Sequence, residues 1–268
     1  MRLPTDIAKT AVIKLLPQAI LNRLKKFHYL RKVRHVSPSD EPDLEIVKAL
    51  VRDGDHVIDL GANIGVYTVF LSRLVTASGR VYSFEPMPAT FGFLEFNVRT
   101  LRLRNVILRQ VAITDHACTV EMAVPSDARG LENFYQASVV RNGPQARPAR
   151  TTIVQGSPLD EAIPAEDKPV AFIKCDVEGH ELHCLKGATR LISRSRPAWL
   201  MEVGGNPEQG GSNAAAVFAL MRDWGYRPFL FKDHRVLPWT SGVRSINYLF
   251  LQSAQIESLR ARGLLMLA

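Results

Sequence analysis

Apolar residues along this chain recur in two rhythms that take turns. Short apolar runs at His56–Leu60, Arg80–Phe84 and Val106–Val111 read as strands. After the first two come stretches in which apolar positions return every three or four residues, which predicts helices. One helix carries Val69, Phe70 and Leu74, and a second spans about Pro88 to Leu101. A helix from Pro42 to Arg52 precedes the series, with Asp40 as its cap and Leu44, Val47, Leu50 and Val51 facing inward. Strand and helix in alternation predict an α/β fold with a doubly wound, mostly parallel sheet. The alternation lapses over about residues 115–169. There, Thr119–Val124, Ala137–Val140 and Thr151–Val154 are β-like runs between loops rich in Gly, Pro, Arg and Asn. This predicts an inserted antiparallel hairpin or flap that serves as a lid or substrate wall. The pattern resumes with Val170–Cys175, a helix near Gly179–Ile192, the strand Ala198–Val203 and a helix near Asn213–Trp224. Two strands, Arg227–Phe231 and Ile246–Leu251, follow, and there are no internal repeats.

Residues 57–68 read Val-Ile-Asp-Leu-Gly-Ala-Asn-Ile-Gly-Val-Tyr-Thr. An apolar strand ending in an acid, then a glycine turn, then a helix pattern, is how an open α/β sheet presents a nucleotide-like ligand. A dinucleotide fingerprint needs glycine where Asn63 stands, because there the backbone approaches a pyrophosphate. A sulfonium cofactor has no phosphate to cradle, and Asp59 suits a positively charged ligand, so the turn predicts S-adenosylmethionine rather than NAD. Ser83-Phe84-Glu85-Pro86 closes the next strand, and Glu85 lies twenty residues after Gly65. That is close to the interval of about 20 residues at which an acid meets ribose hydroxyls.

A second cluster, residues 172–181, reads Phe-Ile-Lys-Cys-Asp-Val-Glu-Gly-His-Glu. Ligands in open α/β sheets bind outside the carboxyl ends of the strands, so Asp59, Glu85, Asp176, Glu178 and Glu202 are expected on one rim. Glu178 and Glu181 also suit a helix start, where the macrodipole favours acids. Capping leaves Asp176 unexplained, and it leaves His180 beside three carboxylates. The cluster Asp176, Glu178 and His180 is therefore the candidate catalytic set.

The chain of 268 residues, 46% apolar, is long enough for one large domain with appendages. Its longest uncharged stretch is the thirteen residues from Leu60 to Ser72, short of a membrane span. Cys118, Cys175 and Cys184 form neither a CxxC pair nor an even framework, so a cytoplasmic location is expected. The net charge of +8 is not a nucleic-acid signal once it is located. Residues 1–36 hold nine Lys and Arg against Asp6 alone, and the remainder balances 25 basic against 25 acidic residues. Ile20, Leu24, Phe27 and Leu30 recur at helical spacing among Arg23, Lys25, Lys26, Arg31 and Lys32. Residues 1–36 thus form a basic amphipathic helical extension. It packs on the domain with a solvated charged face, lies peripherally on the anionic inner face of a membrane, or contacts RNA. Lys9, Lys14 and Pro17 interrupt the apolar run, which argues against a secretory signal.

Taken together, Val-Ile-Asp-Leu-Gly-Ala-Asn-Ile-Gly-Val-Tyr-Thr, Tyr-Ser-Phe-Glu-Pro and Ile-Lys-Cys-Asp-Val-Glu-Gly-His-Glu resemble the FkbM-type S-adenosylmethionine-dependent methyltransferases. The likeness runs from about Pro42 to Leu251 and takes in Asn105-Val106, Ala112, Asp115 and Ser157-Pro158-Leu159-Asp160-Glu161. It implies a class I, Rossmann-like methyltransferase domain over residues 37–268. It also implies O-methylation of a hydroxyl on a sugar, glycolipid or related natural product. Carried over by position, Asp59, Gly61, Asn63 and Gly65, with Ala62 in the same turn, would contact the methionine end of the cofactor. Glu85 would contact the ribose and Ala112 the adenine edge, and Asp176 would lie near the sulfonium. Three competing readings remain. A nucleic-acid amino-methyltransferase needs an Asn/Asp-Pro-Pro-aromatic turn where this chain has Asp-Val-Glu-Gly, so no nucleic-acid partner is expected. A non-catalytic cofactor-binding scaffold would keep the same rim. No metal site is assigned, although Asp176, Glu202 and Asn206 offer hard oxygen donors for Mg²⁺ beside a vicinal diol.

Overall fold

In a computed structural model, residues 17–124, 137–139, 150–164 and 168–265 are described. Outside them lie Arg2, Lys9 and Lys14 of the basic extension, most of the loops of the insertion, and Val140 of its expected second strand. After α1 (Gln18–Arg34) and α2 (Leu44–Leu50) come β1 (His56–Leu60), α3 (Val66–Val75), β2 (Arg80–Phe84), α4 (Pro88–Thr100) and β3 (Val106–Arg109). The insertion contributes β4 (Ala112–Ile113), β5 (Cys118–Val124), β6 (Ser138–Val139) and β7 (Arg150–Ser157), followed by the short α5 (Leu159–Ala162). The chain continues through β8 (Val170–Cys175), α6 (Glu181–Lys186), α7 (Thr189–Ser195), β9 (Ala198–Glu202) and α8 (Asn213–Asp223). It ends with β10 (Arg227–Lys232), β11 (Arg235–Pro238), β12 (Asn247–Leu251) and α9 (Ser253–Ala261).

The main sheet has the order β11-β10-β12-β9-β8-β1-β2-β3. β3, β2, β1, β8 and β9 are mutually parallel, while β12 runs antiparallel to β9. This is the class I methyltransferase arrangement expected above, with one edge hairpin added. Both faces of the sheet are covered, so its strands are apolar on both sides. Ile58, Tyr82, Ile173, Trp199 and Phe250 pack on one side against α6, α7 and α8. Val57, Val81, Phe172, Leu200 and Leu249 pack on the other side against α2, α3 and α9. Because β1 and β8 are neighbours although β2 to β7 intervene in the chain, the strand order reverses between them. A crevice opens there, at the carboxyl ends.

Several expected elements need correction. The strand predicted over Val106–Val111 stops at Arg109, and Ala112–Ile113 leaves the sheet to pair with Gly156 and Ser157 of β7. The helix predicted near Gly179–Ile192 is two helices. They break at Gly187, where a Cβ would come within 2.0 Å of the Thr114 carbonyl oxygen. The helix predicted from Pro42 to Arg52 shortens to Leu44–Leu50. Asp40 does not cap it; the Asp40 carboxylate accepts from the Ser37 amide and hydroxyl instead. β11 went unpredicted because its hairpin turn, Asp233-His234, has both residues at positive φ without the Asn-Gly signature such turns favour. α9 was missed as well, although Gln252 and Gln255 form a capping box at its start.

α1 belongs to the packed structure. Val33 is fully buried with Ile64 and Val69, the Tyr29 ring meets Phe93 edge-on at 4.9 Å, and Arg73 donates to the Arg34 carbonyl at 2.8 Å. The predicted stripe faces elsewhere, since Ile20, Leu24 and Phe27 are exposed. Val33→Ala should therefore lower the unfolding free energy by about 2 kcal/mol. Phe27→Ser should change it by less than about 0.5 kcal/mol. Denaturant unfolding with unchanged slope checks both, and a Val33→Ala chain as stable as wild type would show that α1 is not part of the folded unit.

Candidate functional site

The crevice is built by close backbone approach. Gly61 has a φ of +76°, and a Cβ there would fall 1.7 Å from the Asp176 carbonyl oxygen, so only glycine lets β1 end beside β8. The amides of Gly61 and Ala62 both donate to the Phe84 carbonyl, at 3.0 and 2.9 Å, which folds the turn back over β2. Asn63 follows at a φ of +52°, a conformation that asparagine tolerates better than most side chains. Gly65, at +95°, opens α3; a Cβ there would meet Leu94 at 2.7 Å.

One pocket spans this turn, and its lining contains every predicted site residue except Gly65. Asp59, Glu85, Asp176, Glu178 and Glu202 all border it, as do Gly61, Ala62, Asn63, Ala112 and His180. At one end the walls are apolar, with Met87 and Ala112 joined by Met122, Ala137 and Val139 of the insertion. At the other end they are polar, with Lys32 of α1, Glu41, Tyr67, Lys174 and Asn247.

Polar groups around the turn are only partly satisfied within the chain and remain available to a ligand. Glu85 accepts from the Asn63 amide at 2.8 Å, the Met87 amide at 2.9 Å and the Thr90 hydroxyl at 2.7 Å. A carboxylate has about four acceptor sites, so roughly one is left unused. The Asn63 side-chain oxygen is buried without a hydrogen-bond partner, an acceptor suited to the ligand's ammonium group. Asp59 is 1% exposed and accepts from the Thr68 hydroxyl at 2.6 Å, and burial pushes its pKa up to about 6. Burial likewise raises Glu85 and Glu202. Acids that burial makes reluctant to ionise become easier to ionise when a cation enters.

The second cluster divides its roles. Glu181 is buried and braces the loop, accepting from the Gly179 amide at 2.7 Å and from the Asn213 side chain at 3.2 Å. Of the two acids expected at the helix start, Glu181 lies in the first turn of α6, while Glu178 precedes it in the loop. Glu178, at a φ of +51°, stands on the rim with its side chain open to water. Lost hydration on its pocket side, then the neighbouring Asp176, Glu202 and Glu181, raise its pKa to about 7. Solvent screening reduces the energetic weight of that shift. His180 is buried, 3.2 Å through Nε2 from the Thr114 hydroxyl and stacked on His183 at 4.3 Å, so its ring is held at the pocket wall.

Lys174 escaped the sequence reading, although a lysine inside an otherwise apolar strand is a signal in itself. It is 2% exposed, pairs in register with Asp59, and lies 3.6 Å from Asp176 and 5.2 Å over the Tyr67 ring. It is the buried counter-charge of the acidic rim. The Mg²⁺ alternative finds little support in the donor set. Asn206 spends its side-chain oxygen on the Glu208 amide at 3.1 Å, and Asp176 faces the Lys174 ammonium. Among the described residues, no group of three His, Cys, Asp or Glu side chains is placed to hold a metal. Two residues of the family likeness do structural work. Asp160 accepts from the Arg190 and Leu191 amides at the start of α7, both at 2.8 Å, and Asp115 pairs with His116 at 2.7 Å.

A family model described as Methyltransferase FkbM domain matches residues 59–228. The 31-O-demethyl-FK506 methyltransferase FkbM of Streptomyces tacrolimicus is 30% identical over 132 residues, 49% of this chain and 46% of that protein. Methyltransferase 1 of Beauveria bassiana (strain ARSEF 2860) is 26% identical over 148 residues, 50% of this chain and 59% of its own length. The chain thus spans about half the length of the curated relatives it matches. Among solved structures, Methyltransferase FkbM from Methylobacillus flagellatus KT has 18% identity and a TM-score of 0.46, covering 73% of this chain and 43% of that one.

The buried Asp59 makes stability depend on pH with a definite sign. Its pKa is raised from 3.8 to about 6 by folding, so its contribution is fully present below the lower value and is lost as pH rises through the upper one. Asp59→Asn should flatten the decline in unfolding free energy between about pH 4 and pH 6, an effect on the order of 3 kcal/mol. Denaturant midpoints across that range check it, and parallel curves for variant and wild type would contradict it.

Proposed function

Because the chain belongs to the FkbM family of S-adenosylmethionine-dependent methyltransferases, we propose that it transfers a methyl group from S-adenosylmethionine to a hydroxyl of a sugar, glycolipid or related metabolite. The observation that carries this reading is the convergence of five carboxylates on one pocket beside the Gly61–Gly65 turn. Bound S-adenosylmethionine would supply an electrophilic methyl on a cationic sulfur. Asp59, Gly61, Ala62 and Asn63 would hold its methionine end and Glu85 one ribose hydroxyl, while Gly65, outside the pocket lining, would only shape the turn. Ala112, with Met87 and Met122, would sandwich the adenine. Asp176 would sit near the sulfonium.

An acceptor would enter at the polar end. Carboxylates, Asn247 and the Tyr67 ring suit a polyhydroxyl acceptor, which donates to acids and stacks on an aromatic face. The same acids repel phosphate, which supports a small-molecule or glycan acceptor over a nucleic acid. The name of the Streptomyces relative, a methyltransferase of an O-demethyl compound, supports oxygen as the atom methylated. Holding the acceptor oxygen in line with the methyl is worth on the order of 7–11 kcal/mol. Glu178 would take the hydroxyl proton, and its pKa of about 7 suits a base working near neutrality. His180, held by Thr114, would order the wall beside it. Lipid-linked acceptors fall within this class, and they reach the pocket only if the protein works at a membrane surface.

Glu85→Gln should weaken S-adenosylmethionine and S-adenosylhomocysteine binding by about 1.5–3 kcal/mol in calorimetry. Unchanged affinity, or tight binding of NAD instead, would sink the cofactor assignment.

Glu178→Gln should cut turnover by roughly 10²-fold and abolish the rise of kcat with pH through about 7, with cofactor affinity changed by less than about 1 kcal/mol. His180→Ala should also lower turnover with binding kept, whereas Asp176→Asn should damage both. Release of S-adenosylhomocysteine against a panel of glycans and glycolipids is the assay. Near-normal turnover in all three variants on the true acceptor would move the catalytic group elsewhere. No release with any acceptor, despite tight binding, would favour a cofactor-binding scaffold.

A further inference from the structure

α1 has two apolar faces. Tyr29 and Val33 lie on the side packed against α3 and α4. With about 100° between successive residues, Ile20, Leu24 and Phe27 fall on the opposite side. They are 46%, 56% and 56% exposed, and none of them joins a hydrophobic cluster of the described residues. Residues 17–36 contain six Lys and Arg and no acid. Arg23 and Arg34 flank the outward stripe, and Arg31 continues it. α4 runs antiparallel to α1, since Tyr29 meets Phe93 while Lys26 lies over Phe96. The exposed Arg102 therefore stands beside the N-terminal half of α1, whereas Arg99 next to it is paired with Glu95 at 2.9 Å and adds no net charge.

We propose that this face of α1 is a docking surface for an anionic lipid bilayer, with Ile20, Leu24 and Phe27 entering the acyl boundary and the surrounding Lys and Arg meeting the headgroups. Charge selects this occupant. A second copy of the chain would bring two cationic faces together about a two-fold axis. Residues 1–16 add Arg2, Lys9 and Lys14 against Asp6, so they increase the positive charge rather than neutralise it. Lys32 of the same helix lines the pocket, so the proposed docking surface and the pocket share α1. That an acceptor hydroxyl is presented there by a lipid rests on the methyltransferase reading; the docking itself does not.

The full chain is sedimented with phosphatidylcholine vesicles, with and without phosphatidylglycerol. Partitioning onto the anionic vesicles should exceed that onto neutral ones by about tenfold or more and be released by salt, since each basic residue near the surface contributes. The triple variant Ile20→Ser/Leu24→Ser/Phe27→Ser should lose about tenfold of the partitioning. It should keep the wild-type melting temperature and affinity for S-adenosylhomocysteine. Equal partitioning onto both vesicle types, or undiminished binding of the triple variant, overturns the proposal. So does a drop of several degrees in its melting temperature, which would mean that the chain covers this face itself. A dimer that the triple variant converts to monomer would assign the face to a second copy. S-adenosylhomocysteine affinity is read separately, so failure of docking and failure of the cofactor reading are distinguishable.

Discussion

Between the carboxyl ends of β1 and β8 there is room for a hydrogen atom and nothing larger. A Cβ on Gly61 would stand 1.7 Å from the Asp176 carbonyl oxygen, while the Asp176 amide donates to the Leu60 carbonyl at 3.0 Å. That contact holds the two strands at the point where the sheet reverses its order. It makes the chain turn sharply at Gly61, carries Asn63 into a left-handed conformation and starts α3 where its first turn faces the crevice. The acids closing β1, β2, β8 and β9 then reach one rim because their strands are parallel and adjacent. A side chain at Gly61 would separate the strands and scatter those acids.

Gathering acids in a half-buried place is electrostatically costly, and the structure answers this in two ways. Lys174 lies under the rim as a buried cation beside Asp176, Asp59 and Tyr67. Hydrogen bonds take up the rest: Thr68 serves Asp59, and Thr90 with two amides serves Glu85. The remaining imbalance appears as raised carboxylate pKa values, led by burial. A pocket in that condition favours a cationic ligand, whose arrival lets the acids ionise. The same condition leaves Glu178, the most exposed of the rim acids, able to exchange a proton near neutral pH.

The two ends of the pocket come from segments that share no motif. The small sheet β4-β7-β5-β6 brings Met122, Ala137 and Val139 to the apolar end, so the described part of the insertion walls the region assigned to adenine. The polar end, where an acceptor would arrive, is closed instead by Lys32 of α1, Glu41 before α2, and Asn247 of β12. In the proposed reading, acceptor preference would be set by the N-terminal helix and the strand β12. The helix that borders this end also shows an unpaired apolar face to solvent, which joins the question of what the acceptor is to the question of where the protein sits.

Most of the sheet could be read directly from the chain, because strands covered on both faces are mostly apolar and stop at acids or glycines. His56–Leu60, Arg80–Phe84 and Val170–Cys175 are such strands. The glycine turn, Glu85 and the acid cluster after Val170–Cys175 were legible for a similar reason, since their chemistry is local to a strand end. What the chain could not disclose depended on distant partners. The break at Gly187 exists because the Thr114 backbone packs there, and the bracing role of Glu181 exists because Asn213 reaches it. Lys174 reads as a misplaced charge until Asp59 and Asp176 surround it. The apolar stripe read on α1 was Ile20, Leu24, Phe27 and Leu30, yet it is Tyr29 and Val33, outside that stripe, that pack inward while Ile20, Leu24 and Phe27 face solvent, because α3 and α4 supply a surface for only one side of that helix. Local backbone preference and apolar periodicity determined the elements; which side chains meet across them was decided by the tertiary structure, since the cost of burying a group depends on neighbours that the chain brings from far away.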